Sequence, residues 1–154
     1  MKTVKVAELY QLHDTATVSI PEDTPLEDII TRFAHAPRLH ALFLVDSRQR
    51  LAGIITRTSL MKWVHYELFG GRRELSPWEA LRFADATKAK DLTYRDWQSL
   101  AVRETDTLET ALNTMIDHDE DVLPVLDSEG MILGDLRLSE VLLKALEVGR
   151  QARP

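Results

Sequence analysis

Two stretches of the chain follow nearly the same strand–turn–helix pattern. Residues 51–60 read LAGIITRTSL and residues 132–141 read ILGDLRLSEV, with Gly53 and Gly134 at matching places 81 residues apart. A repeat at that period in a chain of 154 residues leaves room for two copies of one supersecondary unit, too few for a solenoid. The fold is therefore expected to be a pair of similar units.

The unit can be read from its grammar. In TPLEDIITRF, residues 24–33, Thr24 is an expected N-cap, Pro25 suits the first helical position and Glu27 closes a capping box. Leu26, Ile29, Ile30 and Phe33 share one helical face. DTLETALNTM, residues 106–115, repeats this with Asp106 as cap, Glu109 at the third helical position and a stripe of Leu108, Ala111, Leu112 and Met115. Each helix is followed by a short all-apolar run ending in Asp-Ser, ALFLVDSRQR (41–50) and VLPVLDSEG (122–130), which predicts a buried strand and a turn. A second strand, LAGIIT or MILGDL, completes a hairpin. A second helix follows, with Thr58 and Ser139 as expected N-caps and Gly70 and Gly149 as expected stops. Upstream, VAELY (6–10) echoes AKDLT (89–93), and TVSI (17–20) echoes LAVR (100–103) as a short strand.

The expected fold class is α+β: two repeats, each a short sheet with two helices, over residues 1–69 and 89–150, with a tail at 151–154. The segment between, residues 70–88, has no counterpart. Its Ser76-Pro77-Trp78-Glu79 is a capping box with proline at the first helical position, so an extra short helix is expected. Trp78, Leu81 and Phe83 on that helix need a surface, either the junction of the two repeats or a docked partner.

Composition narrows the function. A net charge of −6 argues against broad binding to phosphate backbones, and the basic clusters Arg72–Arg73 and Arg150–Arg153 read as solvated ends. Without cysteine there is no thiolate nucleophile, disulfide or Cys-ligated metal, which suits a reducing, cytoplasmic setting. No apolar run approaches the roughly 20 residues of a membrane helix, so a soluble protein is expected. There is no GxSxG, Walker-type loop or GxGxxG, and no zinc-protease spacing among His13, His35, His40, His65 and His118. The run DHDED (117–121) lacks the alternating ligands and glycine of a calcium loop and reads as a solvated turn. No catalytic residue and no metal ligand is assigned.

The order of these elements, with DTPLEDII, GIITRTSL and VLPVLDSEGMILGDL as its best stretches, resembles the CBS domain (named after cystathionine beta-synthase) written twice, a Bateman module. The resemblance spans about residues 4–149. It implies two repeats about a pseudo-twofold axis with two clefts between them. It also implies a regulatory module that does not catalyse and binds an adenosine-containing ligand: AMP, ADP, ATP or S-adenosylmethionine. A ligand there would favour one arrangement of the repeats over another and so act on a separate regulated protein. In the family, a Thr or Ser after the glycine strand approaches phosphate, and an Asp three residues on takes the ribose hydroxyls. Those positions are Thr56 and Ser59 in the first copy, and Arg137 and Glu140 in the second.

Neither copy keeps that pattern whole. Ser59 supplies no carboxylate, while Glu140 supplies one a methylene further out and Arg137 brings a guanidinium fork suited to phosphate. Both Thr56 and Arg137 precede helices, where N–H groups and the dipole favour an anion. The second copy is therefore expected to carry more of any nucleotide binding. The alternative is an interaction scaffold with degenerate sites that dimerises and binds no ligand. The bland reading of Arg137 and Glu140 is a satisfied helix cap beside a surface arginine. Apolar side chains at Trp63, Leu68, Leu142 and Leu146 leave helical faces to bury, which predicts a homodimer.

Overall fold

The structure, a computed structural model, describes residues 3–10, 19–37, 39–70 and 75–152. His13, Thr17, Val18 and the Arg72–Arg73 pair singled out in the sequence lie outside the described residues. The chain divides into two compact units, and they are not its two consecutive halves. One unit is Val18–Trp97; the other joins Met1–Thr17 to Gln98–Pro154.

The Val18–Trp97 unit holds a three-stranded sheet in the order β1 (Ser19–Pro21), β2 (Ala41–Val45), β3 (Leu51–Thr56). β1 and β2 run parallel, so the chain must cross over between them, and α1 (Leu26–Ala34) makes that crossover. β2 and β3 form the expected hairpin. β2 is central and buried at four of its five positions, which is why its sequence shows no alternation. α2 (Arg57–Phe69) follows β3 directly, and α3 (Pro77–Ala84) is the expected extra helix with its Ser76–Glu79 capping box formed. α3 packs within this unit: Phe83 joins the core of Ile20, Leu26, Ile29, Leu42, Leu44, Ile55 and Leu92.

The second unit repeats the plan with β4 (Val102–Arg103), α4 (Leu108–His118), β5 (Val122–Leu126), β6 (Ile132–Arg137) and α5 (Leu138–Ala152). Leu44 faces Gly53 in one sheet and Val125 faces Gly134 in the other, and both hairpins carry a bulge at the next pair. The turns also match. Asp46 Oδ1 accepts the Arg48 and Arg50 N–H groups, and Asp127 Oδ1 accepts those of Glu129 and Met131.

Several helix ends differ from expectation. α1 begins at Leu26 after Pro25, and Thr24 Oγ1 instead donates to the Pro21 carbonyl. α4 is capped by Thr107, whose hydroxyl accepts the Thr110 N–H, while the Asp106 carboxylate accepts the Arg103 N–H. Thr58 and Ser139 lie inside the first turns of α2 and α5, because each strand runs straight into its helix. Gly70 ends α2 at φ 66°, but Gly149 lies within α5.

Candidate functional site

In both units the hairpin's second strand ends where a helix begins, so the last strand residue is also the helix cap. In the first, that residue is Thr56, 2% exposed. Its Oγ1 accepts the Ser59 N–H at 3.2 Å and lies 3.1 Å from Ser59 Oγ, so the two hydroxyls meet at the N-terminus of α2. Arg57 is exposed beside them, its guanidinium donating to the carbonyls of Pro37 and Leu39 at 3.3 Å each. Among the hydrogen bonds described for this junction, Arg57 is the one charged group.

A residue the sequence reading passed over lies beside the same strand. The Tyr94 N–H donates to the Ile54 carbonyl at 2.8 Å, which presses Thr93 against Gly53. Thr93 is 8% exposed, and its hydroxyl has no hydrogen-bond partner among the described residues. The echo of VAELY in AKDLT was its only signal in the sequence.

The second junction is built from charges. The Arg137 N–H donates to Glu140 Oε1 at 3.0 Å, so the glutamate caps the first turn of α5 from within; Glu140 is 3% exposed. The Arg137 guanidinium bonds to a different carboxylate. Its Nε donates to Asp135 Oδ2 at 3.2 Å, with the arginine side chain partly exposed and the aspartate buried. Asp135, unremarked in the sequence, thus joins Arg137 and Glu140 in one cluster of a cation and two carboxylates. A guanidinium bound to a carboxylate is weaker as an anion site than a lone one.

Of the other sequence candidates, the 117–121 run reaches the second junction through its backbone. His118 ends α4, Asp119 follows in the left-handed conformation at φ 51°, and the Asp121 carbonyl accepts the Leu138 N–H. Among the described residues no group of three His, Asp or Glu is placed to hold a metal ion, and no helix is long and apolar enough to cross a membrane. A cleft of about 480 Å³ lies at the hairpin end of β5 and β6, lined by Arg103, Glu104, Asp127 and Leu133. That is the far end of the hairpin from Arg137, which pairs with Val122.

A family model described as the CBS domain matches residues 7–66 and again 90–147. The chain belongs to the CBS domain family, as a tandem pair. No curated protein matches it. Among solved structures it is similar to a CBS domain-containing protein from Thermotoga maritima, at 27% identity over 96% of this chain and 97% of that one, with a TM-score of 0.77. It is also similar to CBSX2, solved in complex with AMP, at 20% identity over 96% and 99% of the chains and a TM-score of 0.71. The CBS domain pair of protein MJ0100, in complex with 5′-methylthioadenosine and S-adenosylmethionine, matches at 13% identity over 97% and 99%, TM-score 0.67. The α+β fold of two CBS repeats is therefore shared across these proteins.

Proposed function

We propose that this chain is a small-molecule-sensing regulatory module whose ligand carries an adenosine group, AMP, ADP, ATP or S-adenosylmethionine, held at the strand–helix junctions by Thr56, Ser59, Arg137 and Glu140. The observation that carries the reading is the Asp135–Arg137–Glu140 cluster at the start of α5. It puts a phosphate donor and a diol acceptor within one turn of a helix N-terminus. The AMP and S-adenosylmethionine complexes of CBSX2 and MJ0100 support it. Arg137 offers its outer N–H groups to phosphate, and the Glu140 carboxylate, each oxygen of which accepts more than one bond, takes the ribose hydroxyls.

Such a module catalyses nothing itself and needs no cofactor. Its ligand acts on a separate regulated protein, and can shift a conformational equilibrium by no more than its differential affinity for the two states. Thermal unfolding in the presence of adenine nucleotides, S-adenosylmethionine and guanine nucleotides tests the reading. Adenosine ligands should raise Tm because they bind only the native state, and ATP should be recovered unchanged after prolonged incubation. No shift with any adenosine compound at millimolar concentration would reject it.

A specific observation favours a second reading. Thr56 and Ser59 bond to each other, and Arg137 bonds to Asp135, so the polar groups of both junctions already have partners. A scaffold that has given up its ligand and uses the fold to pair with itself would look the same.

A further inference from the structure

We infer that the cleft at the turn end of the β5–β6 hairpin binds a free α-amino acid with an apolar side chain, at a site separate from the strand–helix junctions. The two sheets share a register. Pro21 faces Val45 as Arg103 faces Leu126, and Leu51 faces Val45 as Ile132 faces Leu126. Pro21 and Arg103 therefore hold one position, and Ala52 and Leu133 another. Where the Val18–Trp97 unit has a proline ring and a methyl group, the other has a guanidinium and an isobutyl group. The cleft of about 480 Å³ is built around those two exchanges: Arg103 and Leu133 both line it, with Glu104, Thr105, Leu126 and Ser128. That volume is of the size that small-molecule sites occupy.

The charged groups of the cleft are held in place from behind. The Tyr10 hydroxyl, on a side chain 8% exposed, donates to Glu104 Oε1 at 2.9 Å, and the Ala7 N–H donates to the Glu104 carbonyl at 3.1 Å. Arg103 is tied at both ends: its backbone N–H donates to Asp106 Oδ2 at 2.8 Å, and its Nη1 donates to the Asp127 carbonyl. These bonds leave Glu104 its Oε2 and leave the guanidinium its other donors. Although neighbours in sequence, Arg103 and Glu104 form no ion pair with each other among the described residues.

A cation and an anion fixed side by side, neither satisfied by the other, suit a ligand that carries the opposite pair. An α-amino acid is the smallest such molecule. Its carboxylate takes the free donors of Arg103. Its ammonium meets Glu104 Oε2, with the hydroxyls of Thr105 and Ser128 on the same wall. An apolar side chain covers Leu133, which is 44% exposed, and the edge of Leu126. A phosphate fits less well, because what it gains from Arg103 is opposed by the Glu104 carboxylate. Leu126 pairs with Ile132 at this end of the hairpin and Val122 with Arg137 at the other. Those ends are roughly 13 Å apart at the rise of a strand, so an amino acid here leaves the α5 junction open, whatever that junction binds.

The probes are L-leucine and L-phenylalanine, titrated into the isotope-labelled full chain and followed by amide chemical shifts. Saturable shifts at Ser128 and Leu133 are expected in the millimolar range, since exposed ion pairs contribute little each. Kd should rise tenfold or more with Arg103→Gln and with Glu104→Gln, and should stay unchanged with Lys144→Ala on α5. It should rise as much for two analogues of leucine, the amide, which lacks the carboxylate, and the α-keto acid, which lacks the ammonium. Circular dichroism checks that the variants remain folded, and Leu133→Asp, at an exposed strand position, tests the apolar wall separately. Four results would each overturn the inference: no saturation with either amino acid up to its solubility limit, analogues that bind as tightly as leucine, shifts confined to the surroundings of Arg137 and Glu140, or a Kd untouched by both Arg103→Gln and Glu104→Gln.

Discussion

Gly53 leaves no room for a side chain. A Cβ there would sit 2.7 Å from Thr93 Oγ1 and 2.9 Å from its Cγ2, both short-armed atoms in a buried segment. Gly53→Ala should therefore cost about 1–3 kcal/mol by overpacking, and Thr93→Ala in the same chain should recover much of it. Urea unfolding of the single and double variants measures this; additive losses would show that the contact is not the cause. The matching of Gly53 with Gly134 was plain in the sequence, but not what the glycine faces, because Thr93 lies forty residues away in the text. Asp135 was missed for a related reason: within a strand, residues 135 and 137 share a face, so a buried acid two places before an arginine is a pairing signal that motif matching ignores. This pairing makes a further prediction. Asp135→Asn should release the guanidinium and strengthen binding of ligands with more phosphates, while Glu140→Ala should weaken adenosine and AMP alike, by about 1.5–3 kcal/mol on the scale of a bond to a charged group. Titration calorimetry beside Thr56→Ala and Ser59→Ala decides it. If only the first-copy changes abolish binding, the second junction is not the site.

Helices, strands and their order were legible, whereas several helix ends were not. Thr24 and Asp106 failed as caps because their carbonyls accept N–H groups from Ala89 and Val6. Those distant segments hold the chain extended for one residue more, and no local pattern announces them. The Ser76–Glu79 box, free of such competition, formed as read. Ser76→Ala should cost about 1 kcal/mol. Glu79 also reaches Lys62 on α2 at 3.0 Å, so α3 is tied to its neighbour by the same side chain that caps it. Burial pushes the Glu79 carboxyl up, but the Lys62 bond and the Ser76 N–H and hydroxyl outweigh it, leaving the group below the ordinary carboxylate range. A lowered folded-state pKa stabilises above the unfolded value and is lost as pH falls through the folded one. Stability should thus decline below about pH 4, and Glu79→Gln should flatten part of that decline in acid titrations followed by circular dichroism. An unchanged slope would remove Glu79 from the account.

For the molecule as a whole, composition and the repeat indicated two units of one kind, but not which residues make each. The sequence repeats over 1–69 and 89–150 are stretches of matching text, while the compact units are defined by contact, and each of these includes the opening segment that precedes the other repeat. The exposed apolar rows Met61, Val64 and Leu68 on α2, and Leu138, Leu142 and Leu146 on α5, support the homodimer as our proposal. Sedimentation at tens of micromolar should show twice 17.6 kDa, and Leu142→Glu with Leu146→Glu should return the monomer; a wild-type monomer at that concentration would end the idea. The exchanged opening segments also set a timetable for synthesis. Residues 18–97 are contiguous, so that unit can close as soon as Trp97 leaves the ribosome, whereas in the other Val4 and Val6 wait for Leu108 and Asp106 to be made. The chain completes its middle before its ends, and a nascent chain halted in the linker between the repeats would have finished neither.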